Sequence, residues 1–121
     1  MSGHKVMVIF NKAPYERISI VEGIRCLASV VTMGIEGITV FIDDGVYALL
    51  KNQKPAGTGI EPVETWLKLL ESNKVPIKIM REALSERGIE EKDLVALKTR
   101  EIISASDLAQ LMLDYNSVFV I

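Results

Sequence analysis

Apolar residues in this chain follow two periodicities that take turns. Short, nearly unbroken runs recur at Lys5–Phe10 (KVMVIF), 37–42 (GITVFI) and 118–121 (VFVI). Runs of this length rich in β-branched residues predict strands of a parallel sheet covered on both faces. Between them the spacing changes to three and four. Ile20, Ile24, Leu27 and Val31 form one stripe of a helix predicted over about 15–33, with Gly34 as its stop. Val63, Trp66, Leu67 and Leu70 form a second stripe, behind Pro62. Residues 75–89 (VPIKIMREALSERGI) contain a strand opened by Pro76, a turn at Met80-Arg81-Glu82, a helix, and a stop at Gly88. For the fourth strand, 94–97 and 99–103 compete, and 99–103 is favoured because it feeds straight into a helix. That helix starts at the capping box Ser104-x-x-Asp107, carries Leu108, Leu111 and Met112, and precedes a final buried strand.

This alternation predicts a three-layer α/β/α sandwich around a five-stranded, mostly parallel sheet, in one domain over 1–121, with strand order unreadable. In such sheets, ligands collect at the carboxyl ends of the strands. The candidate pocket residues there are Asn11, Lys12, Tyr15, Asp44, Met80 and Arg81. At the turn after the third strand, none of Met80, Arg81 and Glu82 is a good nucleophile, so the expected arrangement is a site without a reagent. Asp43-Asp44-Gly45 follows the second strand. One of the two carboxylates is expected to cap the next helix, and a magnesium site is the alternative, though no third ligand is placed. The segment 51–60 (KNQKPAGTGI) predicts a surface loop, a candidate lid or partner-contacting arm, without the spacing of a phosphate-binding loop.

Composition narrows the picture. The 121 residues are 49% hydrophobic, carry a formal charge of −2 with both signs scattered, and include one cysteine. That excludes a disulfide framework and fits a cytoplasmic setting. There is no clustered Lys/Arg footprint for direct nucleic-acid binding and no run long enough for a membrane span. Cys26 falls roughly 120–140° off the first helix's stripe at about 100° per residue. It reads as a small packed hydrophobe on an apolar flank with Gly23 and Val30, a flank suited to a subunit interface. A reactive thiol is the alternative, with Arg25 as the neighbour that would lower its pKa. Trp66 reads as a core or interface anchor. A phospho-receiver using Asp43, Asp44 and Lys98 lacks acids after the first strand and an acceptor after the third.

Four features occur together: a first strand ending in a short loop with Pro14, IDDGVYALL at 42–50, a third strand running into ALSERGI at 83–89, and Asp114-Tyr115 before the last strand. With them the chain resembles the DsrE/DsrF-like (YchN-like) family over almost its whole length, and within it the DsrF/TusC branch. The resemblance implies an oligomer of such subunits, homo- or hetero-, engaged in sulfur relay toward tRNA thiolation or sulfur oxidation, with no cofactor. In some members a cysteine just after the third strand carries a persulfide. The matching ERG pattern puts Met80 at that position, which implies a subunit with no catalytic residue of its own, and no role passes to Cys26. The rival expectation is a small-molecule- or nucleotide-binding module using the strand-end pocket.

Overall fold

The computed structural model describes residues 4–13, 19–51 and 63–121. Five strands, β1 (Lys5–Phe10), β2 (Glu36–Phe41), β3 (Ile77–Met80), β4 (Arg100–Ile103) and β5 (Ser117–Val120), form one sheet in the order β4-β3-β2-β1-β5. Every pairing is parallel, with registers such as Val8↔Thr39, Ile79↔Ile102 and Val8↔Phe119. The helices are α1 (Ser19–Thr32), α2 (Val63–Ser72), α3 (Arg81–Glu86) and α4 (Ala105–Met112).

Handedness explains how the layers are populated. From β1 to β4 the chain steps across the sheet one neighbour at a time, so right-handed crossovers put α1, α2 and α3 on one face. The step from β4 to β5 runs back to the far side of β1, and the same handedness sends α4 to the opposite face. The two cores follow strand alternation. Val8, Phe10, Phe41, Ile77 and Ile79 pack with Ile24, Leu27, Leu67, Leu70 and Leu84 on the first face. Met7, Ile9, Ile38, Val40 and Ile103 pack with Leu108 on the second. One eight-residue helix therefore covers a face that elsewhere carries the ion pairs Lys5–Glu36 and Lys78–Glu101.

The stops and starts follow the sequence. Gly34 (φ 90°) and Gly88 (φ 66°) take left-handed backbone at helix ends. Ser104 accepts from the Asp107 backbone N–H while the Asp107 carboxylate accepts from Ser104, closing the predicted capping box. The fourth strand is Arg100–Ile103. The competing stretch 94–97 stays irregular, with Leu94, Val95 and Leu97 buried and Leu94 bridging Leu50. Pro14, the loop at 52–60 and the start of the second helix at Pro62 lie outside the described residues.

Three expectations change. The last strand is an edge strand, not a buried one: Phe119 is 55% and Val120 60% exposed, because no strand among the described residues pairs with β5 on its outer side. Cys26 is exposed rather than packed, because the buried side of α1 is centred on Ile20, Ile24 and Leu27. Its supposed apolar flank is not one. Gly23 turns inward, where a Cβ would stand 2.7 Å from the Phe10 ring and 2.8 Å from Ile121, and Cys26 instead shares a surface hollow with Glu22, Arg25 and Ser29. The segment after β2 is a 3-10 helix, Asp43–Leu49, begun by Ile42 with no side-chain cap, so neither aspartate caps it.

Candidate functional site

Adjacent strands whose exits part to opposite faces leave a crevice at their carboxyl ends, and ligands of open α/β sheets bind there. Here the parting lies between β3, which leads to α3, and β4, which leads to α4 on the other face. Met80 is the last residue of β3 and the N-cap of α3 (φ −73°, ψ 120°), half-buried and packed against both cores. Strand passes into helix without an intervening residue, which fixes Met80 at the mouth of the crevice. Its thioether has no ionisable proton and is only a weak acceptor. Arg81 and Glu82 follow, both exposed.

The N-terminus of α4 opens onto the same crevice. Its free N–H groups would favour an anion. The chain supplies that anion itself: Glu82 Oε1 accepts from the Ala105 backbone N–H at 3.0 Å, beside the Ser104–Asp107 box. The electropositive end is thus filled from within, by a carboxylate that also ties α3 to α4.

The other candidate residues lie in order along the same edge of the sheet. Asp44, just after β2, is occupied by Arg87: Arg87 Nε and Nη2 donate to its Oδ1 at 3.1 and 2.9 Å. The Arg87 guanidinium also stands 5.9 Å from the centre of the Tyr47 ring and donates to the Ala83 carbonyl at 3.1 Å. Donation to the Asp44 carboxylate raises the Arg87 pKa above its already high value. The sequence segments DGVYALL and SERG, far apart in the chain, therefore meet as a structural clamp. Asp44 is therefore not a cap, and among the described residues no group of three His, Cys, Asp or Glu side chains is placed to hold a metal ion.

Beside this clamp the ends of β1 and β2 are fused through one carbonyl. Phe10 O accepts from Ile42 N–H at 3.0 Å, and a Cβ on Gly45 would stand 2.1 Å from that same oxygen. Asn11 follows. Its backbone N–H donates to Ile121 O at 3.3 Å, and its buried side-chain Oδ1 has no hydrogen-bond partner among the described residues. Lys12 is exposed. Tyr15 lies outside the described residues. The edge thus brings together Asn11, Lys12, Asp44, Met80 and Arg81, but Met80 and Asn11 are separated by β2, about 10 Å at the usual strand spacing. No two of them form an acid–base or nucleophile–base pair.

Two residues at this edge escaped sequence reasoning. The sequence places Glu82 only in the turn after the third strand and Arg87 only in the ERG pattern that follows it, with no partner indicated for either. The available signal was the co-occurrence of an acidic DG segment and a basic RG segment at the ends of successive strand–helix units.

Away from this edge, Trp66 is half-buried against the larger core with the Arg25 guanidinium 5.8 Å from its ring centre, as an anchor residue would be. The two share a groove with Ala28, Ser29, Thr32, Leu69 and Asn73. No helix among the described residues is long and apolar enough to cross a membrane.

Comparison with known proteins completes the description. The profile of the DsrE/DsrF-like family matches residues 4–121. The intracellular sulfur oxidation protein DsrF of Allochromatium vinosum is 27% identical over 128 residues, covering 95% of this chain and 94% of that protein. A TusC homolog of Vibrio parahaemolyticus is 31% identical over 88 residues, covering 72% of this chain and 75% of the homolog. Among solved structures, the E. coli ychN protein superimposes with a TM-score of 0.84 at 25% identity, covering 98% of this chain and 99% of that one. The MTH1491 protein of Methanobacterium thermoautotrophicum, at 11% identity and a TM-score of 0.69 over 96% of this chain and 98% of its own, shares the fold.

Proposed function

The chain belongs to the DsrE/DsrF-like family, and from that premise we propose that it is a non-catalytic subunit of an oligomeric, cytoplasmic sulfur-relay assembly. In this reading it is a single domain over 1–121 that supplies shape and contact surface, while a cysteine-bearing chain of the same fold carries the sulfur. The observation that carries the reading is Met80 at the junction of β3 and α3. Persulfide chemistry begins with a thiolate, and a thioether cannot provide one. The plugged α4 terminus supports the same reading, since the electropositive end that would favour a thiolate already holds Glu82. The relatives support this reading: DsrF is an intracellular sulfur oxidation protein, and the TusC homolog is a second match in the same family.

The test is incubation of the pure protein with a cysteine desulfurase and sulfur-labelled cysteine. The expected result is no stable protein-bound sulfane sulfur. Because Cys26 is exposed, the experiment has a real competing outcome: label on the wild type that disappears in Cys26→Ser would overturn the proposal.

A second reading, a small-molecule- or nucleotide-binding module, draws on one observation, the buried Oδ1 of Asn11, without a partner among the described residues, at the strand-end edge with Lys12, Met80 and Arg81. A thermal-shift panel of nucleotides, flavins and thiols tests it. A hit lost in Asn11→Ala supports binding at this edge, and an unresponsive panel removes the reading.

A further inference from the structure

The irregular stretch before β4 is tied down on both sides. Val95 N–H donates to Leu49 O at 2.8 Å, Leu94 bridges Leu50, and Glu71 of α2 accepts from the Lys98 backbone N–H. Between this stretch and α2 lies a hollow of about 420 Å³, lined by Lys68, Glu71, Ala96, Leu97, Lys98 and Arg100. Small-molecule sites span about 300–1,000 Å³. The hollow lies at the amino ends of the strands, since Arg100 begins β4, whereas Met80 pairs with Ile103 at the carboxyl ends.

Three cations converge on it. Lys68 stands one turn before Glu71 on α2, so the two share a helix face. Arg100 is the anchored member: its Nη1 donates to the Val95 carbonyl at 2.8 Å, and its side chain is only 19% exposed. Its ion pair with Glu91 is loose, at 3.7 Å. Neither Lys68 nor Lys98 has an ion pair among the described residues. The one lining carboxylate, Glu71, is engaged by the Lys98 backbone rather than by a lysine ammonium. With Glu71 and Glu91 both counted, the three cations leave one positive charge in excess, in a chain whose net charge is −2. Like charges gathered around one hollow repel, and an anion among them removes that cost.

The number of cations selects the anion. A phosphate monoester presents three terminal oxygens, one for each cationic side chain, where a carboxylate presents two. Arg100, held by a backbone carbonyl, offers its remaining N–H groups in a fixed fork. Leu97 and Ala96 supply an apolar wall beside the charges. We propose that this hollow binds a phosphate monoester with a small apolar body, its phosphate held by Lys68, Lys98 and Arg100 and its body lying against Leu97 and Ala96. The hollow is at the opposite end of the sheet from Met80, so the proposal does not depend on whether the chain carries sulfur.

Titration of the full chain with phenyl phosphate, followed by amide chemical shifts, tests it, with inorganic phosphate and benzoate as the two part-ligands. Phenyl phosphate is expected to shift the Leu97, Lys98 and Arg100 amides saturably, with an affinity that falls as salt rises. Both part-ligands should bind more weakly. Lys68→Gln and Lys98→Gln, at exposed positions that the core does not use, should each weaken phenyl phosphate by about tenfold, the loss of one hydrogen bond to a charged group. Lys92→Gln makes the same charge change at a lysine paired with Glu90 and absent from the hollow. It should leave the affinity within about twofold. Shifts that do not saturate or that spread over other lysines would overturn the proposal. So would inorganic phosphate or benzoate binding as tightly as phenyl phosphate, or an equal loss of affinity in all three variants.

Discussion

Gly45 shows how narrowly single residues determine this edge. Its Cα lies so close to the Phe10 carbonyl that a methyl group would meet backbone at 2.1 Å, and backbone cannot swing aside. Gly45→Ala is therefore expected to cost about 3 kcal/mol, the upper end of ordinary overpacking, read as a lowered urea midpoint at unchanged slope. Gly23→Ala faces only side-chain ends, the Phe10 ring and Ile121 Cδ1, and should cost less, about 1 kcal/mol. Tyr115 offers a titration test. Burial raises its pKa above the usual tyrosine range, against an opposing pull from Lys5, whose ammonium stands 4.8 Å from the ring centre. The folded state thus holds the phenolic proton more tightly than the unfolded chain. This contribution is complete below the usual tyrosine range and is lost as pH rises through the raised value. Stability measured from neutral to strongly alkaline pH should fall less in Tyr115→Phe than in the wild type.

At the scale of elements, α4 is the weak layer. It covers the second face with one buried side chain, Leu108, and begins at a capping box. Leu108→Ala should cost about 2–5 kcal/mol, and Ser104→Ala about 1 kcal/mol, both measured by thermal or urea unfolding. Legibility divides the same way. The Ser104 box, the Gly34 and Gly88 stops and the apolar strands were readable because local chemistry dictates them. What the sequence hid depends on contacts between distant segments. Asp44 reads as a cap until Arg87 arrives from another strand–helix unit. Gly23 reads as part of an outward flank until the Phe10 ring is seen beneath it. Cys26 reads as a packed hydrophobe until the buried side of α1 is known. Of the candidate site, the residues along the strand ends were legible by position, while the internal filling of the α4 terminus by Glu82 was not, since it depends on α3 and α4 leaving the sheet in opposite directions.

At the scale of the molecule, the order β4-β3-β2-β1-β5 determines both the candidate site and the free edge. It creates the crevice between β3 and β4, and it leaves the outermost strand bare. That order also bears on how the chain acquires its structure. The strands β1 to β4 pair with neighbours in succession, but β1 meets its other partner only when Lys5 and Asn116 come together across 111 residues of sequence. Closures over such separations come late and slowly. Until then β1, with Met7 to Phe10 buried in the finished sheet, has one open side, able to accept the wrong chain. Refolding from denaturant should therefore lose yield steeply as protein concentration rises. An added excess of a peptide spanning 116–121 should slow the native phase by occupying that side first.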